Sequence, residues 1–368
     1  MKQNKILHLT YVMNKYGGIQ NYLMNIYRKL DKEKWQFDFL VHKNAVGDFD
    51  DEIRSYGGKV LNIIDDNDNI ISYLIKTIKF FRRNKNHYEL IHIHVTSGIR
   101  VIDAIIAKFY GYKIILHSHC NLREANFKYF LTKILYKLLG NYFTGCSAEA
   151  AQYFFGKNIV KKHNYSISYN AINYEIFDYN IPNRIKMRKL LSLENLKVMI
   201  YVGRFSQEKG IDFIVDILKY LVSIDESYHL LLIGGTANDL YFNIDSNIQK
   251  HITFLGTVSN VYDYLQAADV YVGPSKNEGL GISFIEAQAA GLLVFASDRV
   301  PIETKVTSKI VYCSLDIGFI EWGKIINDNI NYKRVSEINS FKKSEYDLTL
   351  NVLSLTKIYN KLLDNDDH

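Results

Sequence analysis

The sequence predicts an α/β protein built from two Rossmann-like domains in tandem, each a parallel sheet with helices on both faces. Three observations lead there. The 368-residue length exceeds one ordinary core and suits two domains of ~150–200 residues each. Short apolar runs of strand length alternate with amphipathic stretches of helix length, the pattern of a parallel sheet. The alternation also occurs twice, with a polar interval between.

The first alternation opens with the strand Ile6–Val12, a polar loop and a helix from about Ile19 to Leu30. It continues with a strand at Phe37–Val41, a helix at Ile70–Arg82 and a strand at Leu90–Val95. A helix at Val101–Phe109, the strand Lys113–His117 and the helix Lys128–Leu139 complete it. Tyr169–Arg184 is polar, contains Pro182 and reads as a linker. The second alternation runs through strands at Val198–Val202, His229–Ile233, Ile252–Leu255, Val270–Val272 and Leu292–Ala296. Its helices fall at Gly210–Val222, Val261–Ala267 and Ile282–Ala290, and Leu348–Leu363 closes the chain. The expected organisation is an N-terminal domain over 1–172, a C-terminal domain over 173–345, and a final helix over 346–368 packing back on the first. Ligands of such sheets sit at the carboxyl ends of the strands, so chemistry is expected in a cleft between the domains.

Composition narrows the class. With 48% hydrophobic and 23% charged residues, the chain has the balance of a folded soluble protein. Its three cysteines, Cys120, Cys146 and Cys313, lack metal-ligand spacing, which argues against a zinc site and fits a reducing compartment. No apolar run reaches the ~18 residues that span a bilayer, and the N-terminus lacks a signal-peptide core, so a cytoplasmic protein is expected. The net charge of +6 is uneven: residues 1–172 hold 25 Lys+Arg against 14 Asp+Glu (+11), the remainder 20 against 25 (−5). A basic first half suggests a negative partner there, nucleic acid or an anionic membrane face.

Three motifs could carry chemistry. Gly17-Gly18-Ile19-Gln20 precedes a helix, where small residues let a ligand approach the positive helix start, although a plain turn reads the same and the pattern is not GxGxxG. Gly203-Arg204-Phe205-Ser206-Gln207-Glu208-Lys209-Gly210 follows a strand. Its two cations could clamp a diphosphate, Arg as a fork and Lys as a point charge, whereas a solvated basic turn is the bland alternative. The segment from Pro274 to Ala287 is the strongest. Glu278 lies in its loop, the free amides of Gly279, Leu280, Gly281 and Ile282 open a helix, and Glu286 sits one turn in, placed to accept bonds from ribose hydroxyls.

In their order and spacing along nearly the whole chain, Gly-Gly after the first strand, GR-x4-KG in mid-chain and E-x7-E around GLG resemble retaining glycosyltransferases of family 4. The resemblance implies a GT-B fold, two Rossmann-like domains facing each other across a cleft, and a nucleotide-sugar donor, UDP being commonest, with no cofactor and no obligate metal. It places Gly18, Arg204 and Lys209 at the donor, the latter two on the diphosphate, and Glu286 on the ribose. Glu278 and the amides of Gly279, Leu280, Gly281 and Ile282 would hold the sugar and its phosphate. The family also has a sugar-facing histidine at a strand end. Here His117 and His119 compete; His119 is favoured because it stands at the loop start, and His92 and His94 read as supporting or core residues. One departure is Asn170-Ala171, where relatives carry Asn-Gly. The implied reaction is same-face transfer, with Arg204, Lys209 and the helix start stabilising the leaving diphosphate.

Phe127–Leu139 reads as a basic amphipathic helix, and Lys76, Lys79, Arg82, Arg83 and Lys85 form a second basic cluster. Both suit peripheral docking on an anionic inner membrane face, with a polyprenyl-diphosphate-linked or other glycan acceptor in capsule or exopolysaccharide assembly. Three rivals remain: a sugar-nucleotide 2-epimerase on the same fold, a metal-dependent GT-A transferase using Asp48-Phe49-Asp50 or Asp66-Asn67-Asp68, and a nucleic-acid-binding protein. The last lacks any recognised motif and leaves Glu278 and Glu286 idle.

Overall fold

The computed structural model describes residues 3–15, 17–42, 45–65, 68–95, 100–119, 127–342 and 344–364, with side chains left out for 127–130. The chain divides into two compact units, Met1–Ile172 with Leu348–His368, and Asn173–Asp347.

In the first unit seven parallel strands form one sheet: β1 (Asn4–Thr10), β2 (Trp35–Val41), β3 (Val60–Asn62), β4 (Leu90–Val95), β5 (Lys113–Ser118), β6 (Tyr142–Gly145) and β7 (Tyr165–Ile167). Their order is β3-β2-β1-β4-β5-β6-β7. The central strands are buried throughout or nearly so, because helices cover both faces. One face packs its apolar side chains, Phe37 and Phe39 among them, under the helices Gly18–Lys29 and Leu348–Asp364, with Tyr27 of the first helix against them. The other packs Leu7, Ile91, Ile93 and Ile114 against the helices Arg100–Phe109 and Ala148–Phe155.

The second unit repeats the plan with six parallel strands: β8 (Lys197–Val202), β9 (Tyr228–Ile233), β10 (Ile252–Gly256), β11 (Val270–Gly273), β12 (Leu293–Ser297) and β13 (Ile310–Cys313), ordered β10-β9-β8-β11-β12-β13. The chain leaves β8 to one side and returns to β11 on the other, so the order reverses between those two strands. That reversal opens a crevice at their carboxyl ends. Arg334 ties the helices below it: its guanidinium donates to the carbonyls of Leu265, Gln266 and Ala268 and, twice, to that of Ala290.

One expectation needs correction. The latter part of the supposed linker is the helix Ile181–Leu190, with Pro182 in its first turn, where a missing N–H costs nothing. The helix makes contact through Arg184 and Arg188, which both reach Asp269. At the departure Asn170-Ala171 the backbone of Ala171 is not in the positive-φ region; among the described residues, Ser192 is the non-glycine residue with positive φ. No described helix is long and apolar enough to cross a membrane.

Candidate functional site

Two loops meet at the crevice of the second sheet. The first runs from β8 through Gly203 to Gly210; the second runs from β11 through Pro274 to Gly281. Gly210 adopts φ +69°, and a Cβ there would stand 2.6 Å from the Pro274 carbonyl oxygen, so only glycine allows the loops this close. The Lys276 amide donates to the Glu208 carbonyl at 2.7 Å and fastens one loop to the other.

That closeness brings together two residues 69 positions apart. Lys209 Nζ lies 2.7 Å from Glu278 Oε2, and Ser275 Oγ donates to the same oxygen at 3.2 Å. Arg204 is exposed at the crevice, and its carbonyl accepts from the Tyr201 hydroxyl. Gly279 is exposed and Leu280 is buried. Gly281, at φ +74°, turns the chain into the helix Ile282–Ala289, and no side chain caps that start. Its first amides therefore point outward with the positive end of the helix behind them.

Glu286 lies one turn into this helix. Part of its side chain is accessible, yet its carboxyl sits among protein atoms, and burial pushes its pKa up from 4.5 to about 8. Nearby, Tyr271 donates to the Val202 carbonyl and shares a 2.8 Å hydrogen bond with Ser283, and burial raises its pKa as well. A neutral carboxyl can donate and accept at once, which suits a diol more than it suits a cation.

The other candidates lie in the first unit. Gly18 is the first residue of its helix, whose N-terminus has no side-chain cap. His119 follows β5, partly accessible, with Nε2 2.7 Å from His94 Nδ1. His117 is wholly buried, and neither of its ring nitrogens has a partner. Burial lowers the pKa of both and so favours the neutral form of each ring. Cys120 lies outside the described residues, as do Asp66 and Asn67. Asp48 accepts from the Lys15 amide and Asp68 pairs with Lys76.

Residues 183–310 match the family model of glycosyl transferases group 1. The protein is a glycosyltransferase. It is similar to the putative glycosyltransferase EpsF of Bacillus subtilis, 26% identical and covering 99% of this chain and 98% of that one. It is 24% identical to the capsular polysaccharide biosynthesis glycosyltransferase CapH of Staphylococcus aureus, covering 96% and 98%. The UDP-Gal:alpha-D-GlcNAc-diphosphoundecaprenol alpha-1,3-galactosyltransferase of Escherichia coli is 26% identical, over 80% of this chain and 79% of its own. The crystal structure of Anabaena HepE in complex with UDP superposes with a TM-score of 0.71 at 16% identity, covering 98% and 99% of the two chains. The fold is GT-B.

The first unit of the glycosyltransferase also carries a polar constellation that no motif announces. A cavity of about 350 Å³ is lined by Tyr11, His42, Asn69, Tyr73 and Arg100, among others, beyond the ends of β1 and β2. The Arg100 guanidinium is fully buried, donates to the Thr10 carbonyl at 2.7 Å and contacts His42. Asp103 accepts from Tyr73 and lies 3.0 Å from His42 Nε2. These residues come from four separate segments, so spacing could not reveal them; the one local signal was an Arg-x2-Asp pair opening a helix.

Proposed function

We propose that this glycosyltransferase moves a sugar from a UDP-sugar, with retention of configuration, to a polyprenyl-diphosphate-linked or other glycan acceptor during capsule or exopolysaccharide assembly. The observation that carries the reading is the Lys209–Glu278 pair at the sheet crevice, beside an uncapped helix start that lies one turn before Glu286. An arriving diphosphate draws Lys209 and Arg204 to its oxygens and frees Glu278 to accept from sugar hydroxyls. The amides of Gly279, Leu280, Gly281 and Ile282 meet the phosphate, and Glu286 the ribose. His119, and Gly18 at its helix start, serve the sugar side. The acceptor oxygen bonds to the anomeric carbon on the face from which the diphosphate departs, and its proton passes to the leaving phosphate oxygen. The cations stabilise that leaving charge with no metal called for.

UDP is favoured because the similar HepE is seen with UDP and the similar E. coli enzyme uses UDP-Gal. The latter's diphosphoundecaprenol acceptor and the capsular role named for CapH support the acceptor class and the assembly role. In the first unit the Arg100 cavity offers an aromatic wall and several polar groups, a combination suited to an acceptor sugar. Isothermal titration of UDP, GDP and ADP without metal, on wild type and Glu286→Ala, tests the donor reading. Selective UDP binding that the substitution weakens supports it; no binding, or no effect, overturns it. A UDP-sugar epimerised without acceptor would point to the 2-epimerase instead.

Peripheral membrane docking belongs to the same proposal. On the helix Ile70–Arg83, Ile71, Ile75 and Ile78 are exposed, with Lys79 and Arg82 beside them. On the helix Phe127–Leu139, Leu131, Ile134 and Leu138 are exposed with Lys137. Apolar residues flanked by cations fit an anionic bilayer surface. Lys76 contributes less, being paired with Asp65 and Asp68. Failure of anionic vesicles to retain the protein at low salt would remove this part.

A further inference from the structure

Five histidines share one face of the first sheet. His8 pairs in register with His92 across β1 and β4, and His94 with His117 across β4 and β5. Side chains alternate along a strand, so His92 and His94 point the same way, as do His117 and His119. Tyr22 and Tyr359 from the covering helices pack edge-on against His117 and His92. In a parallel sheet such a face is ordinarily aliphatic. Here His8, His92, His94 and His117 are at most 1% exposed, and His8 Nε2, His92 Nε2 and both nitrogens of His117 lack a hydrogen-bond partner. Each buried polar atom left so has given up its hydration without replacement, and a cluster of them needs a physical reason.

We propose that His8, His92 and His94 form a binding site for a divalent transition-metal ion. One ring nitrogen from each lies within 4.8 Å of the other two. His8 Nδ1 and His94 Nε2 are 3.0 Å apart, a separation that two ligands at ~2.0–2.1 Å from one ion span comfortably. Two of the three remaining nitrogens already have the partners that metal-ligating histidines require, while His8 Nε2 has none among the described residues. His92 Nδ1 meets the Tyr359 hydroxyl at 3.0 Å, leaving Nε2 for the ion, and His94 Nδ1 meets His119 Nε2 at 2.7 Å, again leaving Nε2. An all-imidazole set selects Zn²⁺, Ni²⁺, Co²⁺ or Cu²⁺ over Mg²⁺ or Ca²⁺. The site departs from the sequence expectation of no metal and lies inside the core of the first unit, so its role is to build that core. One consequence rests on the reading of His119 as sugar-facing. An ion on His94 Nε2 puts the proton of His94 on Nδ1, which then donates to His119 Nε2 and leaves the His119 proton on Nδ1.

The burial of the ligands means that the ion enters as the chain folds, which sets the experiment. Untagged protein is expressed with added zinc and analysed for metal, and separately refolded from denaturant with Co²⁺. Wild type is expected to carry about one equivalent of metal, to show a ligand-field band of bound Co²⁺, and to lose thermal stability when refolded with chelator. His92→Gln is expected to abolish the band, and His117→Gln to keep it. Metal well below one equivalent by both routes overturns the proposal whatever the variants do. So does a band that survives His92→Gln, or one that only His117→Gln removes, which would move the ion to His94, His117 and His119. Donor binding by titration remains a separate readout, so failure here leaves the transferase reading intact.

Discussion

Replacing Glu286 with Gln removes an ionisable group from the helix Ile282–Ala289 while keeping its shape, and the effect on stability should depend on pH. The folded carboxyl has its pKa raised to about 8 by burial, against 4.5 when free. Between these values the native state holds a proton that the unfolded state has released, so stability falls as pH rises. The stability is fully present below pH ~4.5 and has been lost once pH passes ~8. At ~1.4 kcal/mol per pH unit the interval sets a ceiling of roughly 5 kcal/mol. Water at the accessible edge of the side chain screens part of this, and about 1–3 kcal/mol is expected. Glu286→Gln has no proton to lose. Urea unfolding of both proteins at pH 5, 7 and 9 should therefore give a difference that grows in favour of the variant with pH. Parallel curves would mean that Glu286 is an ordinary carboxylate in the folded protein. The donor site would then meet a diphosphate with one more negative charge, and the ribose assignment would lose its physical basis.

Other substitutions probe the same crevice. Gly210→Ala should cost about 1–3 kcal/mol in urea unfolding, because φ +69° and the Pro274 carbonyl both oppose a Cβ; an unchanged midpoint would mean that the loops do not pack this way. Lys209→Met should weaken UDP binding by titration about tenfold or more. Adding Glu278→Gln should cost less UDP affinity than the two single effects combined, since the two side chains are hydrogen-bonded; additive losses would argue against the contact. Arg334→Lys replaces a fork on four carbonyls with a point charge and should lower stability by about 2–3 kcal/mol, checked by thermal unfolding; a neutral result would show that the fork does not hold the donor helix.

Periodicity made most of the fold readable, and its failures have physical reasons. The central strands and their covering helices carry long apolar patterns, so Leu90–Val95 and Val261–Ala267 match their predicted limits. The edge strands Val60–Asn62 and Tyr165–Ile167 are three residues each, too short to hold a pattern. The helix Ile181–Leu190 was hidden because it is mostly polar and opens with proline. In the donor loops the glycines and charges were legible because one short segment holds each group. What the sequence could not reveal was that Lys209 reaches Glu278 rather than standing free.

The histidines mark a different limit. Their alternation in Ile91-His92-Ile93-His94 and Leu116-His117-Ser118-His119 was visible, but alternation alone says only that two side chains share a face. Strand order supplies the rest. Because β1 lies beside β4, and β4 beside β5, three segments separated by about eighty and about twenty residues bring five imidazoles onto one patch. No search for ligands at short spacing would collect them. The same topology that opens a crevice beside β8 in the second unit places, beside β1 in the first, polar rings where aliphatic packing would be more stable. An ion held by His8 Nδ1, His92 Nε2 and His94 Nε2 would partner one of the unpartnered nitrogens, that of His92, and the metal count on the folded protein decides whether it is there.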